Sequence, residues 1–407
     1  MSTPVSASPP DILSPAYEAD PPGFFRRMRD EFPLIHHEAS GFWFLSRHAD
    51  VSEALGGAAF STRHQEWQME PVIGRSLGAM TGREHATQRA LVAPAFRGKE
   101  LGTRFLPVIE QTARDLIGAF PEGGRVDLVD SFTRWFPINV IASMLGLPKG
   151  DHRRFHDWYS SFMAFLSNIT QDPEVIAWGE RTKREFPEYI LPIIAERRTD
   201  PGEDLLSRLC TAEIDGERMT DDQIRSFVAL LLIAGGETTD KVIASIFKNL
   251  LENPVQLAAV RADRSLITNA LAETLRFAPP VNIVLRTAEE EVEIPDGGTI
   301  PANSTVACVI GAANRDERRF ADPDRFDIFR EDLDVGRAFG GSSRHLAFGH
   351  GRHFCVGSML AKAEVETGVS LLLDLMPEMR FASGFTPRDV GLYTRAPESL
   401  WVEYTPA

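Results

Sequence analysis

The chain is short of cysteine, of positive charge and of long apolar runs, and each shortage removes a class of protein. Its three cysteines, Cys210, Cys308 and Cys355, are too widely spaced for a disulfide framework or for the paired spacing of a zinc site. Such usage suits a reducing, cytoplasmic setting. A formal net charge of −15 with no long basic run excludes a nucleic-acid partner. Nowhere do about 18 consecutive apolar residues occur, as a membrane-spanning helix requires. The first ten residues, rich in proline and serine, carry neither the basic nor the apolar region of a secretion signal. No cysteine cluster and no Gly-x-Gly-x-x-Gly after a strand are present, so no iron–sulfur or flavin domain is fused to the chain. Internal repeats and interior low-complexity linkers are also missing. What remains is a globular protein with a disordered tail at residues 1–12 and one domain over residues 13–407.

Helical periodicity dominates the middle of the chain. Apolar residues recur at three- and four-residue spacing over Ile109 to Phe120, Phe132 to Leu145, Trp178 to Arg197 and Asp221 to Leu251. Strand signals are few and short: Gly41 to Leu45, Val281 to Leu285, Thr305 to Val309 and Leu400 to Val402. The pattern predicts a mainly α protein with small β-sheets.

Cys355 lies in the glycine-rich run Phe348-Gly349-His350-Gly351-Arg352-His353-Phe354-Cys355-Val356-Gly357, just ahead of the apolar-periodic stretch that ends at Leu375. A thiolate at a helix start is favoured by the positive end of the helix dipole and by free backbone N–H groups. Glycines let the backbone turn tightly and approach a flat ligand. These are the needs of a sulfur that binds iron from one side of a haem. Cys210 and Cys308 sit in ordinary apolar runs and read as inert buried thiols.

The longest helix carries Ala234-Gly235-Gly236-Glu237-Thr238-Thr239 at its middle. Two adjacent glycines cost about 1 kcal/mol each relative to alanine in a helix interior. A threonine beside them can bond backward to a carbonyl and bend the helix. A local opening flanked by an acid and a hydroxyl is therefore expected, a departure from packing rules that marks a functional site.

Taken together, Phe-x-x-Gly-x-His-x-Cys-x-Gly and the hexad resemble the haem-ligand loop and the oxygen-binding segment of the cytochrome P450 family, over about residues 20 to 405. The resemblance implies a triangular, helix-rich fold enclosing one haem b, with Cys355 as the iron ligand and Glu237 and Thr238 as the catalytic proton-delivery pair. It implies further cofactor contacts from Ala234, Phe348 and Gly357. Cations for the haem propionates would be His85 and Arg89, at i and i+4 on one helix face, together with Arg286 and His353. Glu273-x-x-Arg276 and Pro323-Asp324-Arg325-Phe326 resemble the family's structural acid–base triad, read as Glu273, Arg276 and Arg325. Other histidines, including His36, His37, His64, His152 and His156, are read as having no role.

The reaction implied is insertion of one atom of dioxygen into an apolar small molecule such as a terpenoid, steroid or polyketide intermediate. Substrate contacts are expected from Trp67 to Met80, from Phe162, Met163, Phe165 and Leu166, from Leu231 and Ile233, from Val281 to Val284 with Asn282 as a polar handle, and from Leu392 and Tyr393. Electrons would come from a separate, acidic ferredoxin docking on Arg89, Arg97, Lys99, Arg344, Arg352 and Lys362, with the enzyme a monomer. A peroxide-driven enzyme or a haem-based sensor are the alternatives.

Overall fold

The central helix, Asp221–Glu252, begins where its sequence says it should. Thr220 Oγ1 accepts from the Gln223 N–H, and Gln223 Oε1 accepts from the Thr220 N–H, a capping box that satisfies two otherwise unpaired donors. Asp221 and Asp222 add negative charge to the positive end of the helix dipole. Pro254 starts the next helix, Pro254–Ala262, after Asn253 has closed this one with its side chain on the Asn249 carbonyl. The computed structural model from which these features are taken describes residues 8–121, 123–166 and 172–405.

Around this axis pack helices Leu106–Ile117, Phe136–Met144, His152–Leu166, Pro173–Thr199, Ile267–Phe277 and Ser358–Leu375. Their buried faces form one continuous apolar core that includes Phe132, Phe136, Trp158, Phe186, Ile243 and Phe247. The helix expected from Phe132 to Leu145 is divided. A π-helical turn, Val129–Thr133, precedes Phe136–Met144, because Pro137 has no N–H to return to the Thr133 carbonyl.

The helix does not open at Gly235 and Gly236. It runs unbroken through both, and the glycines serve close packing. A Cβ on Gly235 would lie 2.9 Å from Ile141 Cδ1, and one on Gly236 2.4 Å from Ile138 Cδ1. Helix Phe136–Met144 can therefore come nearer than any side chain would allow. Gly236 is buried against that helix.

The four sequence-based strands fall in place. Phe42–Leu45, Thr305–Val309 and Ile283–Ala288 are neighbours in a five-stranded sheet edged by Leu34–His37 and Phe60–Ser61. Trp401–Glu403 joins Arg125–Asp127 and Arg380–Phe381 in a three-stranded one. Residues 1–7 of the expected tail lie outside the described residues. Ile12, near its other end, is buried among Tyr17, Phe25 and Met28.

Candidate functional site

The cysteine loop is built on backbone that only glycine adopts easily. Gly349 and Gly351 have φ of +74° and +69°. At Gly351 there is a second reason, since a Cβ would lie 2.7 Å from the Gly56 Cα of helix His48–Gly56. The turn brings the Cys355 N–H to the Phe348 carbonyl at 2.8 Å, and Gly357 caps the following helix, Ser358–Leu375. Phe348 sits in an aromatic group with Phe354, Phe339 and His345, at centroid distances of 6.1, 6.2 and 5.9 Å.

Cys355 is deep in the molecule, yet its side chain is only half-buried. Ala234, in the middle of the most buried helix, is exposed between buried Ile233 and Gly236. Both positions therefore line interior space. Burial pushes the Cys355 thiol above its ordinary value, against the smaller opposing pull of the Gly357 N–H and of Arg89. A bound metal cation would favour the thiolate.

At the edge of this region four basic side chains meet. His85 and His353 lie ring to ring at 4.3 Å. Burial, then each other and Arg286, Arg352 and Arg89, push His353 down to about 4. Burial and Arg89 also lower His85. Arg286 is 7% exposed and spends one nitrogen on its neighbour's carbonyl, Leu285 O, at 2.8 Å. Burial lowers it, and among the described residues no carboxylate pairs with it.

His64, read from sequence as having no role, joins the group. It is 2% exposed, its Nδ1 is buried without a partner, and burial with Arg286 and His353 pushes it down to about 3. A buried guanidinium without a counter-charge and an orphaned ring nitrogen are costly. A flat ligand with two carboxylates, as haem is, fits this donor set. Nothing in the sequence pattern around His64 announced it, because its neighbours come from strand Ile283–Ala288 and from the cysteine loop.

On the central helix, Thr238 Oγ1 donates to the Ala234 carbonyl at 2.7 Å, the backward bond that its position suggests. Glu237 is 12% exposed and ion-paired to Lys241 at 2.9 Å. It also accepts from the hydroxyls of Tyr159 and Thr394. Burial would raise its acid, but Lys241, Tyr159 and Thr394 together outweigh burial and the net shift is downward. A further acid was missed. Glu364, 2% exposed on helix Ser358–Leu375, accepts from Thr239 Oγ1 at 3.2 Å, and burial pushes it up to about 8.

The structural triad needs one correction. Arg276 Nε and Nη2 each lie 2.7 Å from Glu273, both side chains fully buried. The third member is Arg330, with Nε 3.1 Å from Glu273 and a side chain 6% exposed. Arg325 is 68% exposed and pairs with Asp327. Only its carbonyl faces inward, accepting from Arg276 and Arg330. The turn after Asp322, itself at φ +43°, directs that carbonyl inward and the side chain out.

Among the substrate candidates, Phe162 belongs to the core, edge-on to Phe186 at 5.9 Å. Asn282 is no free polar handle, since its Nδ2 donates to Tyr17 Oη and the Leu392 carbonyl, both at 2.8 Å. Met163, Phe165, Leu166, Leu231 and Leu392 remain half-buried. The loop at Leu392 and Tyr393 is brought to the central helix through Thr394 and Glu237. Trp67 is 53% exposed, beside Phe42. Of the basic candidates, Arg97, Lys99 and Arg352 are exposed. Lys362 is tied to Glu366 and Arg344 to the Asp332 carbonyl.

A family model described as Cytochrome P450 matches residues 25–375. The chain is 39% identical to pulcherriminic acid synthase of Bacillus subtilis, over 97% of each chain. It is 33% identical to the cytochrome P450 monooxygenase PikC of Streptomyces venezuelae, over 92% of this chain and 89% of that one. A solved structure of CYP109E1 from Bacillus megaterium in complex with corticosterone superposes with a TM-score of 0.84 at 28% identity, covering 96% of this chain and 99% of that one.

Proposed function

Because this chain belongs to the cytochrome P450 family and is a monooxygenase of that class, we propose how its own residues divide the work. Haem b, when bound, supplies the oxygen activation by which one oxygen atom enters a C–H bond or alkene and the other leaves as water, at the cost of two electrons and two protons. Cys355 would ligate the iron, and Phe348, Gly357 and Ala234 would line the haem site. His85, Arg89, Arg286 and His353 hold the propionates, and His64 joins them through its unpartnered Nδ1. The carrying observation is a buried guanidinium, Arg286, without a protein anion, set among buried imidazoles and beside an interior cysteine.

Thr238 and Glu237 handle protons. The Thr238 hydroxyl hydrogen is already given to the Ala234 carbonyl, so its lone pairs are free to accept from a water and orient it. Glu237 stands next to it as the acid that exchanges protons with that water. Electrons come from a separate acidic ferredoxin docking on Arg97, Lys99 and Arg352. The enzyme acts as a monomer in the cytoplasm. The half-buried apolar side chains Leu231, Met163 and Leu392 favour an apolar substrate of medium size. The corticosterone bound by CYP109E1 belongs in a screening panel with polyketide and terpenoid compounds.

The test is the absorbance spectrum of the dithionite-reduced, haem-loaded protein with and without carbon monoxide. A Soret band moved far to the red is expected and should be lost in Cys355→Ser. A band at the position of ordinary haem proteins would overturn thiolate ligation. Spin-state titration across the panel then identifies substrates.

A further inference from the structure

Glu237 is gripped by three different parts of the chain. Tyr159, from helix His152–Leu166, donates its hydroxyl to Oε2. Thr394, from the C-terminal loop, donates to Oε1 at 2.9 Å, and Lys241, one turn along the central helix, lies 2.9 Å from the same oxygen. Oε2 thus depends on the tyrosine.

We propose that Tyr159 is a positioning residue for the proton-delivering acid: its phenol fixes the orientation of the Glu237 carboxylate. This rests on the reading of Glu237 as that acid.

The Tyr159 ring lies beside the helix backbone one residue before the acid, where a Cβ on Gly236 would stand 3.4 Å from its Cδ2. Tyr159 is itself 6% exposed and sits edge-on to His156 at 5.8 Å. Burial, with the negative charges of Glu237 and Asp240, pushes its phenol well above the ordinary value, so the group stays protonated and acts only as a donor.

The charges around Glu237 make that donor matter. Lys241 and Asp240 share its helix, Tyr159 faces it from helix His152–Leu166, and Thr394 faces it from the loop. Arg134, beyond the turn Val129–Thr133, acts on Tyr159 and Asp240. Asp240 is buried, accepts from Thr133, and is pushed up to about 6, chiefly by burial. A buried carboxylate with a second acid on its own helix face needs charge-assisted hydrogen bonds to remain ionised. Loss of the phenol would leave Oε2 bare, with the carboxylate held at Oε1 alone and its acid weaker.

The experiment uses haem-loaded protein as wild type, Tyr159→Phe and Glu237→Gln, all with matching carbon monoxide spectra. Infrared pH titration follows the protonated-carboxyl band that Glu237→Gln abolishes. Removal of one hydrogen bond to a charged group should raise the midpoint of that band by about one pH unit in Tyr159→Phe. In parallel, peroxide released during electron supply from a surrogate ferredoxin and its reductase is measured against pH without added substrate. The acid limb of that profile should move up by a similar amount in Tyr159→Phe and vanish in Glu237→Gln.

An unchanged infrared midpoint in Tyr159→Phe overturns the positioning role, whatever Glu237→Gln does. A shifted midpoint with a wild-type peroxide profile in Glu237→Gln overturns the relay reading instead. A purely structural tyrosine would lower thermal stability and leave the midpoint where it was.

Discussion

At the scale of single residues, the site is a set of buried basic groups, one guanidinium and several imidazoles, whose partners are missing among the described residues. Arg286 and His64 are buried beside His353 with no anion among the described residues. Arg286→Ala should therefore speed loss of haem to an acceptor protein by about tenfold or more, roughly the value of one charged hydrogen bond. His64→Ala should do so by a smaller factor, and equal rates in all three proteins would refute the assignment. Glu364 makes a separate prediction. Its acid is raised to about 8 in the folded protein, so the native state holds a proton that the unfolded chain releases near pH 4 to 5. The stability this gives is complete at low pH and is lost as pH rises towards 8. Glu364→Gln, which never ionises, should gain on wild type between pH 5 and pH 8 by up to about 4 kcal/mol. A melting-temperature difference that stays flat over this range would show that Glu364 titrates normally.

Elements were more legible in the sequence than the contacts between them. Strands Phe42–Leu45 and Thr305–Val309 and the helix Asp221–Glu252 follow from short apolar runs and helical spacing, both of which are local. The Cys355 loop was legible because its glycines are needed at positive φ and at a close backbone approach. By contrast, Tyr159 and Thr394 reach Glu237 across 78 and 157 residues, and spacing tells which face a residue occupies but not what meets it. The triad shows the same limit. Arg325 and Arg330 lie on one short meander, and only the turn geometry decides which side chain enters. Arg330→Ala should destabilise the protein by about 3 kcal/mol, since it strips one cation from a buried carboxylate. Arg325→Ala should change stability by less than about 0.5 kcal/mol, as exposed positions do. Denaturant melts of the two variants decide between them, and equal costs would refute the assignment of Arg330.

For the molecule as a whole, the sign of its charge matters most. A protein of net charge −15 repels other acidic proteins over most of its surface. Arg352 is exposed in the cysteine loop, Arg97 is exposed near Arg89, which acts on Cys355, Lys99 is exposed two residues further on, and Met359 is exposed at the start of the helix after the loop. A local basic patch on an acidic body orients an acidic partner as well as attracting it, because every other approach is disfavoured. The benefit should fade once salt shortens the screening length to about 8 Å or less, smaller than the separation at which two proteins first align. Arg97→Glu should therefore slow the first reduction by a ferredoxin several-fold to about tenfold at low ionic strength, and by little at high ionic strength. Arg83→Glu, an exposed change outside the patch, should slow it much less. Stopped-flow reduction across a salt series separates the cases. If Arg97→Glu and Arg83→Glu slowed reduction equally, net charge and not the patch would govern the encounter, and the docking face would lie elsewhere on the molecule.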